Sequence, residues 1–183
     1  MLFRSMGQTI RTIDQRSELV SDYDASIERI AQSSEYAPLI GALGVLRGID
    51  RLTALTILVE LGDLRRFASA PQLMAAVGLV PSEYSTGDKT ARFAITKTGN
   101  AHVRRVAIEA AWQYQRFTRS GPRIRQRRKD QPAERVSIAE RCEHRLHRRF
   151  TRLTSRGKRS TVAAVAVARE LMGFIWAISQ ISY

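Results

Sequence analysis

The 183-residue sequence holds one cysteine, Cys142. No internal disulfide can form, so burial and hydrogen bonding must hold the fold, as in chains kept in a reducing compartment. Acidic residues are also scarce, 17 Asp and Glu against 30 Lys and Arg. They are scattered, and no pair is spaced like a two-metal phosphoryl-transfer centre. Histidine occurs three times. Cys142, His144 and His147 fall together in "CEHRLH", but that spacing matches no standard zinc pattern and the neighbouring arginines repel a cation. No metal or other cofactor is expected on this chain. Long apolar runs are missing too, because Arg169 and Glu170 divide "STVAAVAVARELMGFIWAISQI" into pieces well short of the roughly 20 residues that span a bilayer. That stretch reads as a buried helix, from about Thr161 onward. "MLFRSMGQTIRT" shows no charged-then-apolar leader with a small-residue cleavage site. The expectation is a cytoplasmic protein without membrane contact. Strand alternation is absent except over "ARFAIT", so the fold class is mainly α with at most a small hairpin.

What is present is basic charge in one place. The net charge is +13, and residues 116–159 alone hold sixteen Lys/Arg against four Asp/Glu. A block of this kind repels itself unless a polyanion lies against it, which points to nucleic acid. The alternative is a solvated or disordered basic tail. Against that stands the spacing of Val136, Ile138, Ala139, Cys142, Leu146, Phe150 and Leu153, roughly one helical face, with cations expected along the opposite one.

Two regions follow from the patterning. Residues 1–36 form one amphipathic helix, with Ile10, Ile13, Leu19, Val20, Tyr23, Ile27 and Ile30 near three-and-four spacing. This is a connecting or coiled-coil element, and it suggests a homo-oligomer. Residues 37–183 read as a helical domain. In "PLIGALGVLRGIDRLTALTILVELGD", Pro38 suits a first turn, Arg47-Gly48 breaks the helix, Asp50 caps the next and Gly62 ends it. That is a helix-hairpin-helix-like layout, whose turn amides can hold a backbone phosphate. Arg47 and Arg51 favour such a contact and Asp50 weakens it, while any antiparallel helix pair can use the same turn. Ser69 and Gln72 stand in capping-box register, with Leu73, Met74 and Val77 inward and Gly78 as the stop. Asn100 caps a helix running to about Phe117, with Val103, Val106, Ala107, Ala110, Tyr114 and Phe117 inward. Trp112 and Arg116 fall off that face, leaving one side for a partner.

Between these helices lies "VPSEYSTGDKTARFAITKTGNAHVRR", which places Arg104 and Arg105 in a first helical turn, where the macrodipole disfavours cations. His102 is present, but no nucleophile elbow surrounds Ser85, so a hydrolase triad is thin. A serine hydroxyl can instead attack a phosphodiester if cations and turn amides stabilise the charge developing on phosphorus. Lys89, Arg92, Lys97, Arg104 and Arg105 supply the cations, Gly87 allows close backbone approach, and the helix start from Asn100 to Val103 adds amides. A phosphate bridging cations and amides would explain the broken rule.

The ordered motifs closely resemble the C-terminal domain of insertion-sequence transposases of the IS116/IS110/IS902 type. They are the turn at Gly48, Gly62-Asp63 with Arg66-Phe67, the loop from Gly78 to Gly87, the run from Ile95 to Arg105, and the alanine-rich helix from Ala163 to Trp176. The resemblance covers about Tyr36 to the C-terminus. It implies a DNA recombinase with its serine nucleophile at the position of Ser85; Thr86 is the neighbouring candidate. It also implies a ribonuclease H-like domain holding Mg2+ on four acidic residues, and a structured, element-encoded guide RNA. That acidic domain is not represented here, where only residues 1–36 precede the C-terminal domain. A truncated or partner-dependent transposase is therefore expected. Two other readings stay open, a non-catalytic DNA- or RNA-binding module and a basic ribonucleoprotein component; the motif order argues against the latter.

Overall fold

A computed structural model describes residues 2–86, 89–116 and 120–181. Its elements run α1 (Leu2–Ala31), α2 (Ala37–Leu43), α3 (Arg51–Leu61), α4 (Ala70–Ala76), β1 (Pro81–Thr86), β2 (Lys89–Ile95), α5 (Ala101–Ala111), α6 (Pro122–Arg128), α7 (Ala133–Ser155) and α8 (Ser160–Ser179). The fold is mainly α, as the patterning predicts, with one antiparallel hairpin. The chain divides into two compact units, residues 1–37 and 38–183. The first is a 30-residue helix that exposes Met6, Ile10, Ile13, Leu19, Val20, Tyr23 and Ile30.

In the second unit, α8 is the packing centre, in contact with α4, α5 and α7. It is long and apolar enough by composition to cross a membrane, yet Ala163, Ala164, Val167, Ala168, Leu171, Met172, Ile175 and Ile178 are buried in this unit. Three alanines among them, Ala163, Ala164 and Ala168, let the neighbouring backbones approach closely. α7 lays Ile138, Ala139, Cys142, Leu146 and Phe150 into that core, so the basic block folds rather than trailing as a tail.

Local chemistry sets most helix ends. Asp50 accepts a hydrogen bond from the Thr53 amide at 2.8 Å to start α3, and Gly62, at φ 66°, closes it by donating to Leu58 O at 2.8 Å. Asn100 starts α5 by accepting from the Val103 amide at 2.8 Å. The capping box expected at Ser69 is displaced by one residue. Ser69 makes no side-chain cap bond, and Gln72 Oε1 accepts from the Ala68 amide instead, at 2.9 Å. α5 does not run on as a regular helix to the region of Phe117. It tightens into a 3-10 turn over Trp112–Tyr114, and Phe117 lies outside the described residues. Trp112 is half-buried and sits against Phe150, ring centroids 5.9 Å apart, so the side expected to stay open for a partner is covered there.

The turn between α2 and α3 is fixed by its neighbours. Gly48 adopts φ 82°, and a Cβ there would stand 2.6 Å from Ala110 O of α5. The α3 helix itself packs on α5. Around this turn lies a buried polar cluster. Glu143 of α7 accepts hydrogen bonds from Arg128 Nη2 at 2.8 Å and Ser120 Oγ at 3.2 Å, with Arg47 Nε 3.5 Å away. Arg128 Nε donates to Val45 O at 3.0 Å, Arg127 Nη1 to Ile49 O at 2.6 Å, and the Tyr114 hydroxyl to Arg47 O at 2.8 Å. Three turn carbonyls are thereby satisfied by side chains from α6 and the end of α5. Burial pushes the Tyr114 hydroxyl well above its ordinary range and the Cys142 thiol up to about 12. Desolvation lowers Arg127, partly offset by Asp50.

Two tests follow from this packing. Gly48 and Gly62 share a left-handed backbone, but nothing lies within 4 Å of a Cβ built at Gly62. In urea melts, Gly62→Ala should cost about 1 kcal/mol, the backbone penalty alone. Gly48→Ala should cost about 3 kcal/mol, because a clash with backbone is added. Cys142 should resist alkylation at about pH 8 in the native chain, since its thiolate is both buried and scarce. Glu143→Ala strands two arginines, costs about 3 kcal/mol, and should speed Cys142 labelling by roughly a hundredfold through easier opening.

Candidate nucleic-acid interface

One exposed stripe of α7, bordering α8 at Arg145, carries Arg141, Arg145, Arg148 and Arg152, spaced four, three and four residues apart, with Arg156 at the helix end. All five are exposed. The spacing places them on one stripe of a 3.6-residue helix, because the apolar positions between them claim the core side. Arg141, Arg148 and Arg152 make no hydrogen bond or ion pair among the described residues. A groove of about 850 Å³ runs along the stripe, and His144 and Arg149 also line it.

A second cavity, of about 700 Å³, continues from the first between α8, the end of α4 and the foot of the hairpin. Arg145, Arg149 and Glu170 line both. Glu170, on α8, is the hinge between them. It accepts a hydrogen bond from Arg145 Nε at 2.7 Å and lies 3.3 Å from Arg149 Nε. One carboxylate thus sets the direction of two guanidinium groups at the junction.

The residues expected from sequence separate into three groups. Ser85, Lys89 and Arg92 are in the hairpin, in backbone register with Thr90, Thr86 and Glu83; their side chains lie outside the described residues, as does Gly87. Lys97 and Arg105 are exposed. Lys97 holds a left-handed backbone, φ 57°, and lines the second cavity, whereas Arg105 stands 3.9 Å from Glu109 one helical turn on. Arg51 is exposed at the start of α3.

The remaining expected contacts are engaged by partners within the fold. Arg47 is only 12% exposed and pairs with Glu143, and Gly48 is pressed on α5, so this turn is not an open phosphate cradle. Arg104 Nη1 donates to Val77 O at the end of α4, 2.9 Å away. Its charge therefore meets the negative end of another helix, which resolves the misplaced cation without any ligand. Asn100 Nδ2 donates to Glu60 Oε2 at 2.7 Å, and His102 Nδ1 lies 2.8 Å from Glu60 Oε1. The anion at the α5 N-terminus is thus a carboxylate of α3. The Asn100 and His102 hydrogen bonds hold the Glu60 carboxyl below its ordinary range.

Within the basic block, Arg128 and Arg135 are buried and Arg127 is half-buried. These three serve the fold. The cations left on the surface were legible as a block, but the particular arginines of the stripe and Glu170 escaped sequence reasoning. The available signal was the four-three-four arginine spacing out of phase with the apolar face. Among the described residues no group of three His, Cys, Asp or Glu side chains converges.

Residues 42–127, from α2 through the hairpin to α6, match the model of the Transposase IS116/IS110/IS902 family. Over 144 residues, 79% of this chain and 37% of the relative, the sequence is 46% identical to a putative transposase, y4qE, of Sinorhizobium fredii. It is 32% identical over 96 residues, 52% of this chain and 26% of the relative, to the transposase for insertion sequence element IS1111A of Coxiella burnetii. It is 31% identical over 150 residues, 79% of this chain and 42% of the relative, to the transposase for insertion sequence element IS1533 of Leptospira borgpetersenii. The chain spans less than half the length of each of these relatives. With the hairpin inside the matched segment and a helical domain built around it, this chain belongs to the IS116/IS110/IS902 transposase family.

Proposed function

We propose that residues 38–183 hold DNA during transposition in the bacterial cytoplasm, with α7 tracking the phosphate backbone and leading it toward the β1–β2 hairpin. The exposed arginine stripe of α7 carries this reading. A row of guanidinium groups at helical spacing, with three of them unengaged among the described residues, suits repeated phosphates rather than a single small anion. Phosphate contacts of this kind position a duplex without reading its sequence. Reading the target then falls to other parts of the machinery, for which the family resemblance offers an element-encoded RNA. The apolar face of α1 is suited to pairing with a second copy.

Ser85 is the proposed nucleophile. Its oxygen would bond to phosphorus as the bridging P–O bond of the strand breaks, and the hydroxyl proton would end on the departing strand oxygen. Lys89, Arg92 and Lys97 are the nearby cations available to the developing charge. A second reading, binding without strand chemistry, is favoured by one observation. The α5 N-terminus, expected to present amides to the scissile phosphate, already faces the Glu60 carboxylate.

Two measurements test these proposals. With duplex DNA followed by fluorescence anisotropy over a salt series, the double variant Arg148→Ala/Arg152→Ala should bind more weakly and flatten the log–log salt slope by about 2. An unchanged slope would remove α7 from the interface. With the remainder of the transposase and its RNA supplied in trans, DNA ends should become covalently attached to this chain and Ser85→Ala should abolish the adduct. Undiminished adduct in that variant rejects Ser85, and absence of any adduct in the wild type favours the binding-only reading.

A further inference from the structure

We propose that the second cavity is a pocket for one unpaired nucleotide of a DNA strand, with the base against an aliphatic floor and the flanking phosphates on a cationic rim. This rests on α7 being a nucleic-acid interface, and it adds a distinct ligand form to that reading.

The observation is an apolar hollow set in a basic surface. Leu79, Ile95, Val165 and Ala166 line the cavity, and Val162 at its mouth is 51% exposed. Phosphate binding does not account for it, since phosphates require charge and hydrogen-bond donors and gain nothing from aliphatic carbon. A nucleotide combines the two demands, having an anionic linkage on either side of a flat base that packs on apolar surface once it leaves its stack. The rim meets the first demand with Lys97, Arg145, Arg149 and Arg169. The carboxylate in the lining, Glu170, is already engaged by two of those arginines, so it presents no isolated negative charge to an incoming phosphate.

Size and position narrow the occupant. A volume of about 700 Å³ falls within the range of small-molecule sites, roughly 300–1,000 Å³. It admits a base with its sugar, and a base reaches an apolar floor only once it has left its paired stack. Ile95 and Pro81 bring the cavity to the foot of the hairpin that bears Ser85, where an opened strand would be handed over. Among the described residues, the uncharged lining apart from Thr161 is apolar, so a ribose 2′-hydroxyl, the feature by which proteins select RNA, meets one hydroxyl at most. With the hairpin proposed to cleave DNA beside it, the pocket is assigned to DNA.

The test uses the full chain, a labelled oligo(dT) of about ten nucleotides and a duplex matched to it in phosphate number. Ala166→Trp fills the pocket and should weaken oligo(dT) binding about tenfold, the order expected for loss of one base contact, while changing duplex binding less than about twofold. Ala166→Leu, a smaller filling, should shift oligo(dT) binding in the same direction and keeps the test readable if the Trp variant does not fold. Equal loss for both ligands, or no loss for either, overturns the pocket. Tighter binding of oligo(rU) than oligo(dT) by the wild type overturns the assignment to DNA. Binding of neither ligand by the wild type removes the α7 interface itself, an outcome separate from failure of the pocket alone.

Discussion

A buried carboxylate on α7 organises the molecule. Glu143 ties together α7, α6 and the turn before α3 through Arg128, Arg47 and Ser120. Two guanidinium groups and a carboxylate removed from water have a large desolvation penalty, and their mutual attraction offsets it only when the remaining donors also find partners. Those partners exist. Arg128 continues to Val45 O, and Arg127, beside it, to Ile49 O. The glycine turn therefore needs no helical hydrogen bonds to satisfy its carbonyls. Its burial on α5, the docking of α6 and the rotation of α7 about its axis are fixed together. The rotation matters most for function, because turning Glu143 inward sends Arg141, Arg145, Arg148 and Arg152 outward.

Much of this was written locally in the sequence. Asp50, Asn100 and Gly62 mark helix ends because capping requires a short polar side chain or a residue without Cβ at one defined place, and neither demand depends on the rest of the fold. The apolar phases of α7 and α8 were legible for a similar reason, since periodicity survives whichever partner eventually covers the face. Arginine was the residue that sequence reasoning placed poorly. Arg47 and Arg104 look like phosphate ligands when only their neighbours in the chain are considered. Their true partners, Glu143 and Val77 O, come from elements that no local rule connects to them. A long flexible side chain reaches whatever opposite charge tertiary folding brings within range, so its target is the least local of all properties.

The same argument explains why a strongly basic chain can fold at all. Its cations include a set matched internally and a stripe left exposed along α7. Arg47, Arg104, Arg127 and Arg128 neutralise carbonyl ends or a buried carboxylate, so each adds to the fold rather than opposing it. The stripe on α7 is different. Its side chains are exposed and screened by water and salt, and their mutual repulsion is small at each pair but adds along the helix. Such a surface is a stored preference for a polyanion, which relieves the repulsion when it arrives.

Glu170 sits where these two regimes meet. It faces the groove, only 23% exposed, and it draws in Arg145 and Arg149 from the helix opposite. A fully unpaired stripe would hold every phosphate equally along its length. Pairing at the junction makes the α7 arm the stronger polyanion track and leaves the arm toward the hairpin with cations already oriented and partly neutralised. On the proposed reading, a strand held along α7 would cross the junction without first being stripped from a deep electrostatic well. That gradient is built from one carboxylate on α8, and it depends on the close packing of α7 on α8 that the small residues of α8 allow.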